Sequence, residues 1–519
     1  MASDGNAKLA STPKPPPINI VPQTSSSSSG PTSSPPAMWD TARSASSHTQ
    51  HSSSSETGDN DIIPPTHPAR TLVLCFDGTG DQFSAENSNV VTFFSLLKKD
   101  NPKEQMVYYQ PGIGTYLSTT NVTGIKAKVD KVLDEMIAWN LSNHVMGGYE
   151  FLMQNYQEGD KICLFGFSRG AYTARALAGM LHKVGLLPTC NHQQVPFAYK
   201  MYTRDDPQGW AQSTAFKKAF SIDVDIDFIG VWDTVSSVGV IPHTLPFTKS
   251  NTAIRVFRHA LSLDERRARF KPALYIHPSK DEAKLGTQPG DMPKSDTTWA
   301  TRSRMGRPGN TQRHFERQFS EGDPDSDGTT DVVEVWFAGC HCDIGGGNVT
   351  DDTPHSLARI PLRWMIREVF KNNTGIRFHA ELLRRIGLDP VSLHPTVASR
   401  PPPLKPTEEH LKTVAKPVSQ DTEEEHEVRD ALQQMYDELV LAPFWWGLEL
   451  VPMQERVQGP PPERREMRAV TMNLGRGRLI PKHHTPLMIH RSVKVRMEAQ
   501  NLKYSPKATY EHPEIHWVD

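Results

Sequence analysis

No run of about eighteen apolar residues occurs in the 519-residue chain, so nothing in it reads as a membrane-crossing helix. Its opening stretch, MASDGNAKLASTPKPPP, lacks the basic-then-apolar pattern of a secretory signal, and a cytoplasmic protein is the expectation. Disulfide scaffolding is not expected either: Cys75, Cys163, Cys190, Cys340 and Cys342 are odd in number, scattered, and form no C-x-x-C pair. Excess charge is also lacking, since 57 Lys plus Arg stand against 59 Asp plus Glu. With no basic footprint for a phosphate backbone, nucleic acid is not an expected partner.

The chain is 37% hydrophobic and carries 42 prolines, the composition of a folded body diluted by polar segments. Residues 1–67 are dominated by Ser, Pro and Thr and read as a disordered tail. Residues 278–330 interrupt the folded pattern as a polar insertion, and 396–428, from a proline run to the acidic DTEEEHE, read as a linker. That leaves a folded domain at 68–395 and an extension, 429–519, packed on it.

Within 68–395 apolar runs alternate with helical periodicity. Strands are expected at Thr71–Phe76, Met106–Tyr109, Lys161–Phe165, Val224–Trp232 and Val332–Ala338. Helices are expected near Val90–Leu97, Lys126–Tyr156, Arg169–Val184 and Leu357–Phe370. This alternation implies an α/β fold, a mostly parallel sheet between two helical layers, with ligands at the carboxyl ends of the strands.

The segment KICLFGFSRGAYTARALAGML places Gly166, Ser168 and Gly170 in G-x-S-x-G between a strand and a helix. Such a turn exposes a serine hydroxyl at the sheet's edge, while the two glycines let backbone approach without Cβ clashes. Ala174, Leu177, Ala178 and Leu181 then give the following helix a small apolar face for the sheet. The Arg169 N–H, at that helix's positive end, suits a developing oxyanion. The blander alternative is a buried serine in an ordinary strand-to-helix turn.

A serine hydroxyl needs a base near neutrality and a carboxylate that fixes the base's tautomer. Asp233 ends the apolar run of VDIDFIGVWDTV, and His341 follows VVEVWFAGC, ahead of a glycine-rich loop. Asp227 lies inside its strand, and Asp343 is too close along the chain to grip the ring's Nδ1. The expected triad is therefore Ser168, Asp233 and His341. Asp77, Gly78 and Thr79, in the loop after the first strand, are candidates for the oxyanion and substrate-binding set with Arg169. The same FDGT resembles a phosphatase D-x-D-G-T motif, but Cys75 stands where that chemistry needs its nucleophilic aspartate. Cys340, His341, Cys342 and Asp343 carry metal-ligating groups without a second group at ligand spacing, so neither metal nor cofactor is expected.

Taken in order, LVLCFDGTG, LFGFSRGAYTARALAGML, VWDTV, HALSLDERRARFKP and VWFAGCHCDIGGG resemble the α/β-hydrolase family related to the phospholipase effectors of bacterial type VI secretion, in its fungal form, over about residues 69–395. That resemblance implies the α/β-hydrolase fold, an esterase or phospholipase activity, Ser168 as nucleophile and His341 as base. It makes a lipid or other ester the expected substrate and is compatible with peripheral membrane contact. The alternatives are a hydrolase of non-lipid esters or thioesters, or a non-catalytic interaction protein. His259, Asp264, Glu265 and Arg267 are read as a salt-bridged pocket wall. Trp445 and Trp446, in APFWWGLELVP, are read as core anchors in preference to a lipid-contacting surface.

Overall fold

TLVLCF is apolar after its first residue, the pattern of a strand covered on both faces. In the computed structural model it is the buried strand β1 (Thr71–Phe76). The structure describes residues 61–79, 81–112, 126–235, 245–276, 330–413, 422–458, 466–481, 486–510 and 514–519. The tail up to residue 60 and all but the last residue of the 278–330 insertion lie outside the described residues.

Seven further strands join β1: β2 (Gln105–Gln110), β3 (Lys161–Phe167), β4 (Ile226–Trp232), β5 (Ile254–Ser262), β6 (Asp331–Phe337), β7 (Leu487–His490) and β8 (Ile515–Val518). Their order is β2-β1-β3-β4-β5-β6-β7-β8, and every neighbouring pair is parallel. Register aligns the carboxyl ends: Gly166 sits between Phe76 and Val231, and Phe167 lies beside Trp232. The chain runs outward from β1 to β2 and then returns past β1 to β3, which opens a crevice at that reversal.

Alternate strand residues serve two cores. Leu72, Leu74 and Phe76 pack with the layer that contains α2 (Lys126–Asn155) and α3 (Ser168–Val184), while Val73 and Cys75 meet Val90 and Phe93 of α1 (Asn89–Leu96). The periodic face of α3 is buried as expected, with Ala174, Leu177, Ala178 and Leu181 all in the first core. The opposite layer adds Ile360, Trp364, Met365 and Ile366 of a helix spanning Arg359–Lys371. The result is an α/β fold with helices on both faces of a parallel sheet.

Three parts differ from expectation. Ile62–Ile63, assigned to the tail by composition, pairs antiparallel with Phe378–His379 and buries Ile62. The acidic run assigned to a linker forms a helix, Glu423–Ala431, because cations neutralise it: Arg367 donates to Glu423 at 2.9 Å, and Arg400 and Arg491 reach Glu427 at 2.6 and 2.8 Å. The carboxy-terminal extension does more than pack on the sheet, since β7 and β8 are two of its strands. Strand β5 carries Arg255, Arg258 and His259 in an otherwise apolar run, and each has a carboxylate partner in Asp227, Glu368 or Glu334.

Candidate active site

The turn that ends β3 holds Ser168 at φ +57°, a left-handed conformation that costs a non-glycine residue energy and is retained where the surroundings enforce it. The surroundings here leave no slack. A Cβ on Gly166 would lie 2.6 Å from the Gly170 carbonyl oxygen, and one on Gly170 would lie 2.3 Å from the carbonyls of both Phe76 and Asp77. The two glycines therefore let α3 start directly against the end of β1.

His341 opens a short helix, His341–Gly345, just beyond β6, and that helix also approaches closely: a Cβ on Gly345 would meet the Phe167 ring at 1.9 Å. Ser168 Oγ lies 2.8 Å from His341 Nε2, and His341 Nδ1 lies 2.6 Å from Asp233 Oδ2. An ionised carboxylate only accepts, so the Nδ1 proton points to Asp233 and leaves Nε2 to accept from the serine. All three side chains are buried. Burial lowers the His341 pKa and the Asp233 bond raises it, with a net displacement downward that favours the neutral, accepting ring. The ring is held between Phe167 and Phe270, with centroids 4.7 and 4.8 Å away.

Asp233 carries a further partner that sequence reasoning missed. Arg478, buried in the segment before β7, grips the carboxylate with two bonds, Nη1 to Oδ1 at 2.6 Å and Nη2 to Oδ2 at 2.8 Å. It also donates to the carbonyls of Ser262 and Phe270, and the Ser262 N–H donates to Asp233 Oδ1 at 2.9 Å. Burial alone would push the carboxyl up; Arg478 and His341 outweigh it and hold Asp233 well below the usual carboxylate range. No motif announced Arg478. The only sequence cue is a cation inside a glycine-rich NLGRGRLI.

The first-strand loop divides its expected roles. Asp77 accepts from the Gly78 N–H at 2.9 Å, Ser88 Oγ at 2.6 Å and Tyr109 Oη at 2.7 Å, so its carboxylate braces the loop and does not face a ligand. That bond also occupies the Gly78 N–H. Thr79, by contrast, has a buried hydroxyl with no hydrogen-bond partner among the described residues, so its donor is uncommitted there. Arg169 follows Ser168 in the first turn of α3. Its charge also opposes the burial and the Asp77 repulsion that raise Asp81 to about 7, a second loop carboxyl not singled out from sequence.

The surrounding residues form a braced wall. Glu265 accepts from Arg267 through both oxygens at 3.0 and 2.9 Å and from the His341 N–H at 3.2 Å. Asp264 accepts from the Gly339 N–H at 2.8 Å, and His259 Nε2 accepts from the Thr234 N–H at 3.0 Å, fixing the turns that carry His341 and Asp233. Asp343 accepts from the Cys340 and Tyr436 N–H groups. Trp445 stacks edge-on against Phe270 at 5.6 Å, whereas Trp446 is 43% exposed, so the two tryptophans part company.

A family model described as "T6SS, Phospholipase effector Tle1-like, catalytic domain" matches residues 70–368, more than half of the chain. The uncharacterized protein YEL023C of Saccharomyces cerevisiae is 28% identical over 585 aligned residues, which span 88% of this chain and 83% of that protein. Among solved structures, an uncharacterized protein from Pseudomonas aeruginosa aligns with a TM-score of 0.31 at 17% identity, covering 70% of this chain and 53% of that one. The Tle1 effector bound to the VgrG spike of the type 6 secretion system aligns with a TM-score of 0.23 at 17% identity, covering 62% of this chain and 66% of that one. The chain thus spans about half to two thirds of those two structures.

Proposed function

The chain belongs to the family of type VI secretion phospholipase effector Tle1-like catalytic domains, and from that premise we propose that it is a serine hydrolase of lipid carboxylic esters, with Ser168, His341 and Asp233 as its reacting set. The observation that carries the proposal is the unbroken run of contacts from Ser168 Oγ to His341, at 2.8 Å, and from His341 to Asp233, at 2.6 Å.

In the proposed reaction Ser168 Oγ attacks the acyl carbonyl while His341 Nε2 takes its proton, and Asp233 stabilises the imidazolium that forms. The developing oxyanion meets the Arg169 N–H and the Thr79 donors. His341 then protonates the leaving alcohol. Water, deprotonated by the same nitrogen, releases the acyl group as a carboxylic acid and restores Ser168. The proton passes between Ser168, His341, the leaving alcohol and water, and the one water consumed supplies the new carboxyl oxygen.

A fluorophosphonate probe on the purified full chain tests the reading. Labelling is expected at Ser168, absent in Ser168→Ala and weakened in His341→Ala, with dispersed phospholipid hydrolysed in parallel. A folded wild-type protein that neither labels nor hydrolyses any ester would favour a pure interaction role. Turnover of short esters or thioesters alone would overturn the lipid assignment and leave the chemistry standing.

A further inference from the structure

Water-facing segments put their charges outward and their large apolar side chains inward. Residues 440–452 do the reverse. Val440, Leu441, Phe444, Trp446, Leu450 and Val451 are exposed, Phe444 by 70% and Leu450 by 62%, while the only ionisable residue of the segment, Glu449, is 1% exposed. Glu449 is turned inward as a structural acceptor, taking the N–H groups of Ala268 and Gly475 at 2.6 and 2.9 Å and the Asn473 side chain at 2.6 Å.

Those bonds bring a second exposed apolar strip alongside the first. Leu474 N–H donates to the Glu449 carbonyl at 3.3 Å, and Gly475 lies so close to Trp446 that a Cβ there would sit 2.7 Å from its ring. Val470, Met472 and Leu474 in this strip are exposed as well, so two separate segments of the carboxy-terminal region share one apolar face.

We propose that this face docks on a lipid surface and thereby presents the site to lipid esters. Position is the first argument. Aromatic contacts run from the face to the candidate base: Phe444 to Trp445 at 5.0 Å, Trp445 to Phe270 at 5.6 Å, Phe270 to His341 at 4.8 Å. Charge is the second. Lys271, bonded to Asn473 at 2.7 Å, and Arg476, bonded to the Met472 carbonyl at 3.2 Å, place cations beside the apolar strip, as suits phosphate headgroups around an inserted aromatic wedge. The chain's own remaining long segments make poor covers, because residues 1–60 and 277–329 are dominated by polar residues and proline. Among the described residues no helix is long and apolar enough to cross a membrane.

The inference rests on the lipid-ester reading for its purpose, and its test is independent of that reading. Full-length protein is mixed with vesicles of phosphatidylcholine alone and of phosphatidylcholine with phosphatidylserine, and binding is read by co-sedimentation and tryptophan fluorescence. Wild type and Ser168→Ala should bind equally, and more tightly to the anionic vesicles. A Phe444→Ser, Leu450→Ser double variant should bind at least about tenfold more weakly, given the apolar area lost. It should keep its hydrolysis of a short soluble ester and lose turnover of vesicle phospholipid. Binding unchanged in a folded double variant, or no vesicle binding by wild type, overturns the proposal. So does a double variant whose only change is lost self-association in sedimentation velocity, which would make the occupant a second copy. Vesicle binding without any ester hydrolysis would retain the docking face and remove the enzymatic reading.

Discussion

Replacing Arg478 with methionine removes a full charge from beside the candidate triad while keeping an unbranched, largely apolar side chain. The guanidinium and the His341 ring share Asp233 Oδ2, at 2.8 and 2.6 Å, so the nitrogens concerned are no more than 5.4 Å apart. Unit charges about 5 Å apart repel by about 3 kcal/mol at an effective dielectric of about 20, and spreading the guanidinium charge over its atoms reduces this to about 1–2 kcal/mol. Arg478 therefore disfavours the imidazolium. Without it His341 protonates at higher pH, and because only the neutral ring accepts the serine proton, the acidic limb of kcat/KM should move to higher pH. Stability should fall by about 3–5 kcal/mol, since Asp233 is left buried without its cation. Arg478→Lys restores charge without the two-pronged grip and should keep the wild-type limb at reduced stability. The assay is a pH profile on a soluble ester, with melting temperature alongside. A limb that stays put or moves down in a folded Arg478→Met protein would refute this electrostatic account, whereas a purely structural role would change the melting temperature alone.

Other expectations follow from the same geometry. Asp233→Asn should lower kcat by about a thousandfold or more, because an amide no longer fixes the tautomer or stabilises the cation, and single-turnover kinetics would read it. Gly170→Ala should destabilise the fold by about 1–3 kcal/mol in chemical denaturation, since the added carbon would sit 2.3 Å from two carbonyl oxygens and must displace α3. Burial raises the pKa of Asp430, but Arg363 and then His355 outweigh it and hold it at about 2. Its folded pKa is thus depressed, so its contribution, about 2–3 kcal/mol, is complete above about pH 4 and lost as pH falls toward 2. Asp430→Asn should accordingly differ from wild type at neutral pH and converge with it in acid. Of the five cysteines only Cys190 is exposed, and it should alkylate first under native conditions, as peptide mass mapping would show.

Much of this arrangement was legible because its signals are local. β3 and α3 declare themselves by an apolar run followed by a small-residue periodicity, and Ser168 sits at their junction. Asp233 and His341 are candidates by the same rule, as polar residues just beyond apolar runs, and a parallel sheet brings such ends to one edge. What escaped was interaction across distance. β5 was obscured by charges whose carboxylate partners lie on other elements, and DTEEEHE looked solvated because the arginines that neutralise it come from residues 367, 400 and 491. Arg478 is one of 57 cationic residues, and nothing near it in sequence refers to Asp233. The paired tryptophans show a third limit. Composition scores Trp445 and Trp446 alike, yet one packs on Phe270 and the other lies in an exposed apolar face.

The 245 residues that separate Arg478 from Asp233 also impose an order in time. A ribosome has already released the serine, the aspartate and the histidine when the neutralising cation and the last two strands are still to be made. Until then the carboxylate has no guanidinium and the sheet has a raw edge at β6. If the proposed triad is correct, a nascent chain should therefore stay inert to a fluorophosphonate and become reactive only as full-length product appears in a timed translation reaction.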